Sequence, residues 1–422
     1  MLSFESLTAK EVLILSASSW RPDFFKIWSG QAVSDFTSMI LQYSIIWYLT
    51  DLTGSAVVLS MAMLAEFLPK TIIGPFAGVA IDRFNRKAVM IVSDALVAAP
   101  CFLLIFSGGI DGIPVPLIMT VLILRSLGSA FHQPCMNAVT PQLVPRDQLA
   151  KCAGYSQSIQ SVSRLLSPAT AALLYGIWRL EYIISLDIIG AFIAITILIF
   201  VKIPALSDKG ADSPHVFKDT LEGWKILKSN RGMFGLVGIS ALYTAVLMPI
   251  SALFPLMCMS YFGKGSESAG MVETCFMAGV VLGALMLSLT GGFKNKLHTI
   301  ICAMSLMCVC LAVGGLLPPS GIVIFAVVAF FMGICGPSFW GSHTSLLQQS
   351  FPNEYMGRVL SISHSMRNIA LPLSLAVSGP LADRLGAPVW FLIGSALTAA
   401  GIVICLAVPA IRTVDTQRQT TQ

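Results

Sequence analysis

Eight ionisable side chains stand inside long apolar stretches of this chain: Asp35, Glu66, Lys70, Asp94, Arg125, Arg164, Glu273 and Arg367. A charge in hydrocarbon is costly to hold, so each is a functional candidate. The chemistry open to them is charge pairing and proton exchange. Burial raises a carboxyl pKa and a nearby cation lowers it, so one acid with a movable cation could take up and release a proton. Glu66 and Lys70 are four apart and share a helical face, a spacing that suits a self-neutralising pair as well as a relay. Asp35 has no charged residue three or four positions away, which favours a role facing a cavity. Arg125 also lacks a local acid and must reach another helix. Asp94 lies about two turns into its apolar run and reads as part of a charged network with Arg83 or Arg86. Glu273 is a second acid further along the chain. His132 reads as a satisfied interhelical histidine before it reads as a proton relay.

The elements that must position these groups follow from composition. Of 422 residues, 55% are hydrophobic and 11% charged, against about 25% charged in soluble domains. Apolar runs of helix-spanning length recur throughout. Their breaks define twelve expected spans, at 24–50, 55–80, 88–108, 114–138, 152–178, 182–203, 233–260, 268–290, 297–317, 321–346, 358–384 and 388–410. The fold class is an all-α membrane protein. Residues 1–203 and 233–422 form two six-helix halves, and 204–232 is a linker containing Lys209, Lys218, Lys225, Lys228 and Arg231, with a short amphipathic helix expected around 217–227. The halves echo each other: Gly128-Ser129-Ala130-Phe131 parallels Gly336-Pro337-Ser338-Phe339, and Val144-Pro145-Arg146-Asp147-Gln148 parallels Phe351-Pro352-Asn353-Glu354-Tyr355. Phe84-Asn85-Arg86-Lys87 has a faded counterpart in Phe293-Lys294-Asn295-Lys296. Related halves imply a central site and alternating access.

Placing the N-terminus inside puts most Lys and Arg in cytoplasmic segments, with Arg179, Lys264 and Arg384 left at the outer loops. Both termini are therefore expected in the cytoplasm. Glu5, Lys10, Glu11, Arg21 and Asp23 precede the first long apolar run, which reads as an anchor and not as a cleavable signal. The ten cysteines form no metal-binding or redox pattern and read as small hydrophobes. Gly263-Lys264-Gly265-Ser266 lacks the phosphate-loop spacing, and no hydrolase motif occurs. The sequence thus points away from an enzyme and expects no cofactor or metal. A net charge of +5 gives no sign of nucleic-acid binding. The energy source expected is an ion gradient.

Between the second and third spans, Gly74, Gly78, Asp82, Arg83, Arg86 and Lys87 suggest a conformational latch. The two glycines, four apart, would let helices approach, Asp82 would pair with Arg or accept hydrogen bonds, and the cations would meet headgroups. For a bulky amphiphile, Tyr43, Trp47, Tyr243, Phe254, Phe339 and Trp340 are the candidate cavity aromatics; helix packing or an interfacial belt position explains each of them better.

The charged loop resembles the hallmark of the major facilitator family, Gly-x-x-x-Asp-Arg-x-Gly-Arg-Lys, with Asn85 in place of the second glycine. Asn tolerates a left-handed backbone, so the turn is expected to survive. Arg125-Ser126-Leu127-Gly128 is similar to that family's Arg-x-x-x-Gly region, shortened by one. Ser167-Pro168-Ala169 resembles a degraded antiporter Gly-Pro motif. Longer stretches resemble the bacterial macrolide-efflux (Mef-type) exporters: Trp28-Ser29-Gly30-Gln31-Ala32-Val33-Ser34, Thr53-Gly54-Ser55-Ala56, Asn137-Ala138-Val139-Thr140-Pro141, Lys151-Cys152-Ala153-Gly154-Tyr155-Ser156-Gln157-Ser158, Ala252-Leu253-Phe254-Pro255 and Gly357-Arg358-Val359. The resemblance implies the major facilitator fold, a place in the bacterial inner membrane, and proton-driven export of macrolides, with lipid, protons and an amphiphilic small molecule as partners. Asp94, Arg125 and Glu273 fit the Mef pattern; Asp35, Arg164, Arg367 and the Glu66–Lys70 pair depart from it. An exporter of another amphiphile, such as a siderophore or lipid-like metabolite, or a non-transporting sensor or scaffold, shares the same fold-level features.

Overall fold

A backbone in lipid must satisfy its own hydrogen bonds, so apolar runs of this length fold as helices. The computed structural model describes residues 9–107, 112–145, 148–201 and 216–414, without the side chains of 9–20, 75, 76, 78–80, 82, 83, 137, 141, 150, 153, 216–222, 353, 354 and 357. The helices are α1 (Ala9–Thr53), α2 (Ala56–Arg83), α3 (Arg86–Ala98), α4 (Cys101–Ser107), α5 (Val115–Leu143), α6 (Leu149–Ile177), α7 (Leu180–Phe200), α8 (Val216–Ser229), α9 (Arg231–Leu256), α10 (Ser266–Thr290), α11 (Lys296–Leu316), α12 (Ile322–Ser350), α13 (Asn353–Leu385), α14 (Ala387–Ala407) and the short α15 (Pro409–Arg412). Nine stretches among the described residues are long and apolar enough to cross a membrane. The more polar α1, α6 and α13 are long enough as well, which is consistent with the expected twelve spans.

Three local departures have simple causes. The first helix begins at Ala9, well before the expected 24, and runs through Pro22. The third span breaks between α3 and α4 at Ala99-Pro100, because proline has no N–H and crowds the preceding turn. The end of α9 widens into a π-helical turn, Met257–Tyr261, directly after Pro255. The amphipathic segment expected in the linker is α8; Lys209 and the side chain of Lys218 lie outside the described residues.

Two compact units emerge. Unit 1 comprises 1–44, 65–167 and 177–209; unit 2 comprises 45–64, 168–176 and 210–422. This division departs from the expected halves, because the end of α1, the start of α2 and the end of α6 group with the second half of the chain. The core of unit 1 gathers Phe24, Ile27, Trp28, Ala77, Ile81, Met90, Cys135, Met136 and Leu198. In unit 2, α10 and α12 touch backbone to backbone: a Cβ on Gly279 would strike the Phe330 carbonyl, and one on Gly333 the Phe276 carbonyl. Small residues permit such approach in lipid. Gly74 does not act this way. A Cβ there would meet nothing within 4 Å, so the expected close approach at this glycine is corrected.

Candidate functional site

In unit 1 the polar groups line one stripe of α1. Gln31, Asp35, Ser38 and Gln42 recur at intervals of four, three and four, which places them on one helical face. Three of the four hold a charged cluster on neighbouring helices.

At Gln31, the amide Nε2 donates to Asp94 Oδ2 at 3.0 Å. His132 Nε2 lies 2.8 Å from Gln31 Oε1 and 3.1 Å from Asp94 Oδ1. Asp94 is buried and held by Gln31 and His132, where the sequence suggested a network with Arg83 or Arg86; the Arg83 side chain lies outside the described residues. At Ser38, the hydroxyl donates to Asp187 Oδ1 at 2.6 Å, and Arg125 Nη1 pairs with Asp187 Oδ2 at 2.5 Å. Arg125 also donates to the Val97 carbonyl at 3.1 Å and to Ser38 Oγ at 3.4 Å. Asp187, 1% exposed, is the acid on another helix that Arg125 requires. At Gln42, Nε2 donates to Glu66 Oε2 at 2.5 Å, while Lys70 Nζ lies 3.4 Å from Glu66 Oε1 and 4.0 Å over the Phe67 ring. The Ser126 hydroxyl donates to the Glu66 carbonyl and accepts from the Lys70 N–H, fixing α5 against this turn of α2.

Asp35 stands between the first two clusters. It makes no hydrogen bond among the described residues, but His132, Asp94 and Arg164 act on it electrostatically. It is thus the acid of the stripe least committed to one partner.

The charged loop after α2 is only partly visible, since Gly78 and the side chains of Asp82 and Arg83 lie outside the described residues. Asn85 has φ −61° and ψ 113°, so the expected left-handed turn is not formed. Its side chain instead caps α3, accepting from the N–H groups of Lys87 and Ala88. Asn295 caps α11 in the same way, one position out of register with the sequence repeat, which sets it opposite Arg86. Arg86 donates to the Ala138 carbonyl at 2.5 Å, and Lys87 to the Ile199 and Val201 carbonyls at 2.8 Å each. These cations tie α3 to α5 and to the end of α7, where the sequence suggested headgroup contact.

Unit 2 differs in kind. Glu273 on α10 is buried with no hydrogen bond or ion pair among the described residues, and Cys258 of the π turn lies within its field. Tyr243 stacks on Phe339 at 4.1 Å, and His343 stacks on Phe339 at 6.1 Å, making a column of three rings. Trp340 stands edge-on to all three. The Arg367 guanidinium lies 4.6 Å over the Trp340 ring and meets His364 Nδ1 at 2.7 Å. The Tyr243 hydroxyl and both ring nitrogens of His343 have no hydrogen-bond partner among the described residues. Of the six aromatic candidates, Tyr243, Phe339 and Trp340 come together. Phe254 belongs to a separate core with Phe276, Phe325 and Phe391, and Trp47 packs on Tyr175. Tyr43 is half-buried in unit 1.

The sequence reading missed Asp187, His343 and the uncharged members of the α1 stripe. Asp187 carried a signal, a single acid inside an otherwise apolar span. The stripe carried another, the four-three-four spacing of polar residues.

Long apolar helices with interior charges held between them mark a membrane protein, and no metal-binding cluster occurs among the described residues. The chain belongs to the Major Facilitator Superfamily, which it matches over residues 27–375. It is similar to macrolide efflux protein A of Streptococcus pyogenes, at 43% identity over 94% of this chain and 98% of that protein. The multidrug efflux pump Tap of Mycolicibacterium fortuitum is 26% identical over 87% of this chain and 91% of its own length. The nucleoside transporter NupG shares the fold, with a TM-score of 0.71, 11% identity, and coverage of 90% of this chain and 98% of that one.

Proposed function

We propose that this transporter exports macrolide antibiotics across the bacterial inner membrane in exchange for protons, with both termini in the cytoplasm. The observation that carries the reading is the polar stripe of α1 and the charged clusters it holds, found in a chain 43% identical to macrolide efflux proteins. Asp35, with His132 and Arg164 in reach, is the unit 1 acid suited to exchanging a proton. Asp94, Asp187 with Arg125, and Glu66 respond to its charge through Gln31, Ser38 and Gln42 on the same helix as Asp35. Glu273, buried without a counter-ion among the described residues, is the corresponding acid of unit 2. The Tyr243–Phe339–Trp340 cluster suits the apolar face of a bulky amphiphile. Residues 78–87 bias one conformation of the cycle.

The test is accumulation of labelled erythromycin in pump-deficient bacteria expressing the chain, with and without a protonophore. Low accumulation that rises when the gradient collapses is the expected result. Unchanged accumulation, with the protein present in the membrane, rejects the macrolide reading.

A further inference from the structure

The last seven residues of α13 and the glycine at its exit, Gly379-Pro380-Leu381-Ala382-Asp383-Arg384-Leu385-Gly386, repeat the spacing of Gly78-Val79-Ala80-Ile81-Asp82-Arg83-Phe84-Asn85. Each copy has a glycine, three residues, Asp-Arg, one residue and a turn former. In the proposed orientation the first copy faces the cytoplasm and the second faces outward.

The second copy lies wholly in unit 2 and touches the first turn of α2, which belongs to the same unit. The Asp383 carboxylate accepts from Ser55 Oγ at 2.7 Å, from the Ala56 N–H, and from the Val57 N–H at 3.3 Å. The leading N–H groups of a helix have no partner within it, and a carboxylate there also meets the positive end of the helix dipole. One turn earlier, Gly379 sets the approach. A Cβ at that position would stand 2.9 Å from Ser60 Oγ and 3.0 Å from Val57 Cα. Gly386, at φ +91°, ends α13 in a conformation that other residues avoid.

A helix cap ordinarily comes from the residue just before the helix. Here it comes from 327 residues away, on another helix, while Ser55 Oγ accepts from the Val58 N–H at 3.4 Å as a local cap. When the distant cap leaves, the Ala56 and Val57 N–H groups are freed while Ser55 still caps Val58, so the start of α2 keeps one local cap. We infer that residues 379–386 are an outer counterpart of the charged loop after α2. Asp383 holds the first turn of α2 when the outer ends are shut and lets go when they open. This rests on the reading of the chain as an alternating-access exporter with its N-terminus inside.

Ser60 is 3% exposed beneath this contact. In intact cells, the full chain carrying S60C is to be treated with a membrane-impermeant maleimide, with the wild type and its ten native cysteines as baseline. The latch predicts that adding D383N speeds labelling roughly five- to tenfold, the size expected for one lost helix cap. G379A, which forces the helices apart and leaves the carboxylate in place, shifts labelling the same way. In a second arm, S55C/D383C is oxidised to a disulfide, which arrests efflux until a reductant is added. Unchanged labelling in both variants, or efflux that continues through the disulfide, overturns the latch and makes the contact static packing. The labelling arm needs no substrate, so a wild type that exports no macrolide rejects the exporter reading and leaves the latch decided on its own.

Discussion

In unit 1, Arg125 faces Asp187, Asp94 faces His132, and Glu66 faces Lys70, each held by a polar residue of α1. In unit 2, Glu273 is buried without a counter-ion among the described residues, and Arg367 lies on an indole. The first region stores charge in matched sets, and the second leaves Glu273 single among the described residues and sets Arg367 over an aromatic ring. The difference teaches that intramembrane charge serves two ends. Matched sets fix helices and constrain one another, and a change at one alters the rest. A single buried acid gives up no protein partner when it binds a proton or a cationic ligand.

The sharpest way to break this contrast is D187A, which leaves Arg125 buried and unmatched. A loss of about 3–5 kcal/mol is expected, read as a lower melting temperature in detergent, and the R125A/D187A double variant should be less damaged than D187A. Simple additivity of the two single losses would remove the matched pair from the account. Next is D94N, which replaces charge-assisted hydrogen bonds to Gln31 and His132. About 1.5–3 kcal/mol is expected, and a melting temperature equal to wild type would show that the Gln31 contact holds nothing. E66Q should cost only ~0.3–0.5 kcal/mol, because its partner Lys70 is a third exposed and sits one turn away on the same helix. At the end of the series is E273Q. It breaks no ion pair, so stability should stay at the wild-type value while gradient-driven efflux is lost. Wild-type efflux from E273Q would remove unit 2 from the coupling scheme.

Much of the fold was legible because the length of an apolar run acts locally along the chain. The site was legible only in part. Arg125 announced that it needed an acid, but the acid lies 62 residues away, and no local rule names Asp187. Gln31, Ser38 and Gln42 went unremarked because uncharged polar residues in a long helix carry little signal one at a time; their periodicity was the signal. Asn85 was expected to replace glycine by adopting a glycine-like backbone. It does so through its side chain, by capping α3, which the residue type permits equally well. The aromatics were chosen by type, and type does not separate the Tyr243–Phe339–Trp340 group from the Phe254 core.

The seam between α10 and α12 has a mechanical consequence. Where Gly279 meets the Phe330 backbone and Gly333 meets the Phe276 backbone, no side chains lie between the helices to be rearranged. Two rods joined in this way move as one lever, stiff against both sliding and twisting. Bending in unit 2 then falls to the places where the backbone ladder is already interrupted, at Pro249, Pro255 and the π turn that follows, at Pro372 and Pro380 of α13, and at Pro337 within α12 itself. Glu273 rides on the lever, and Cys258 sits on the joint.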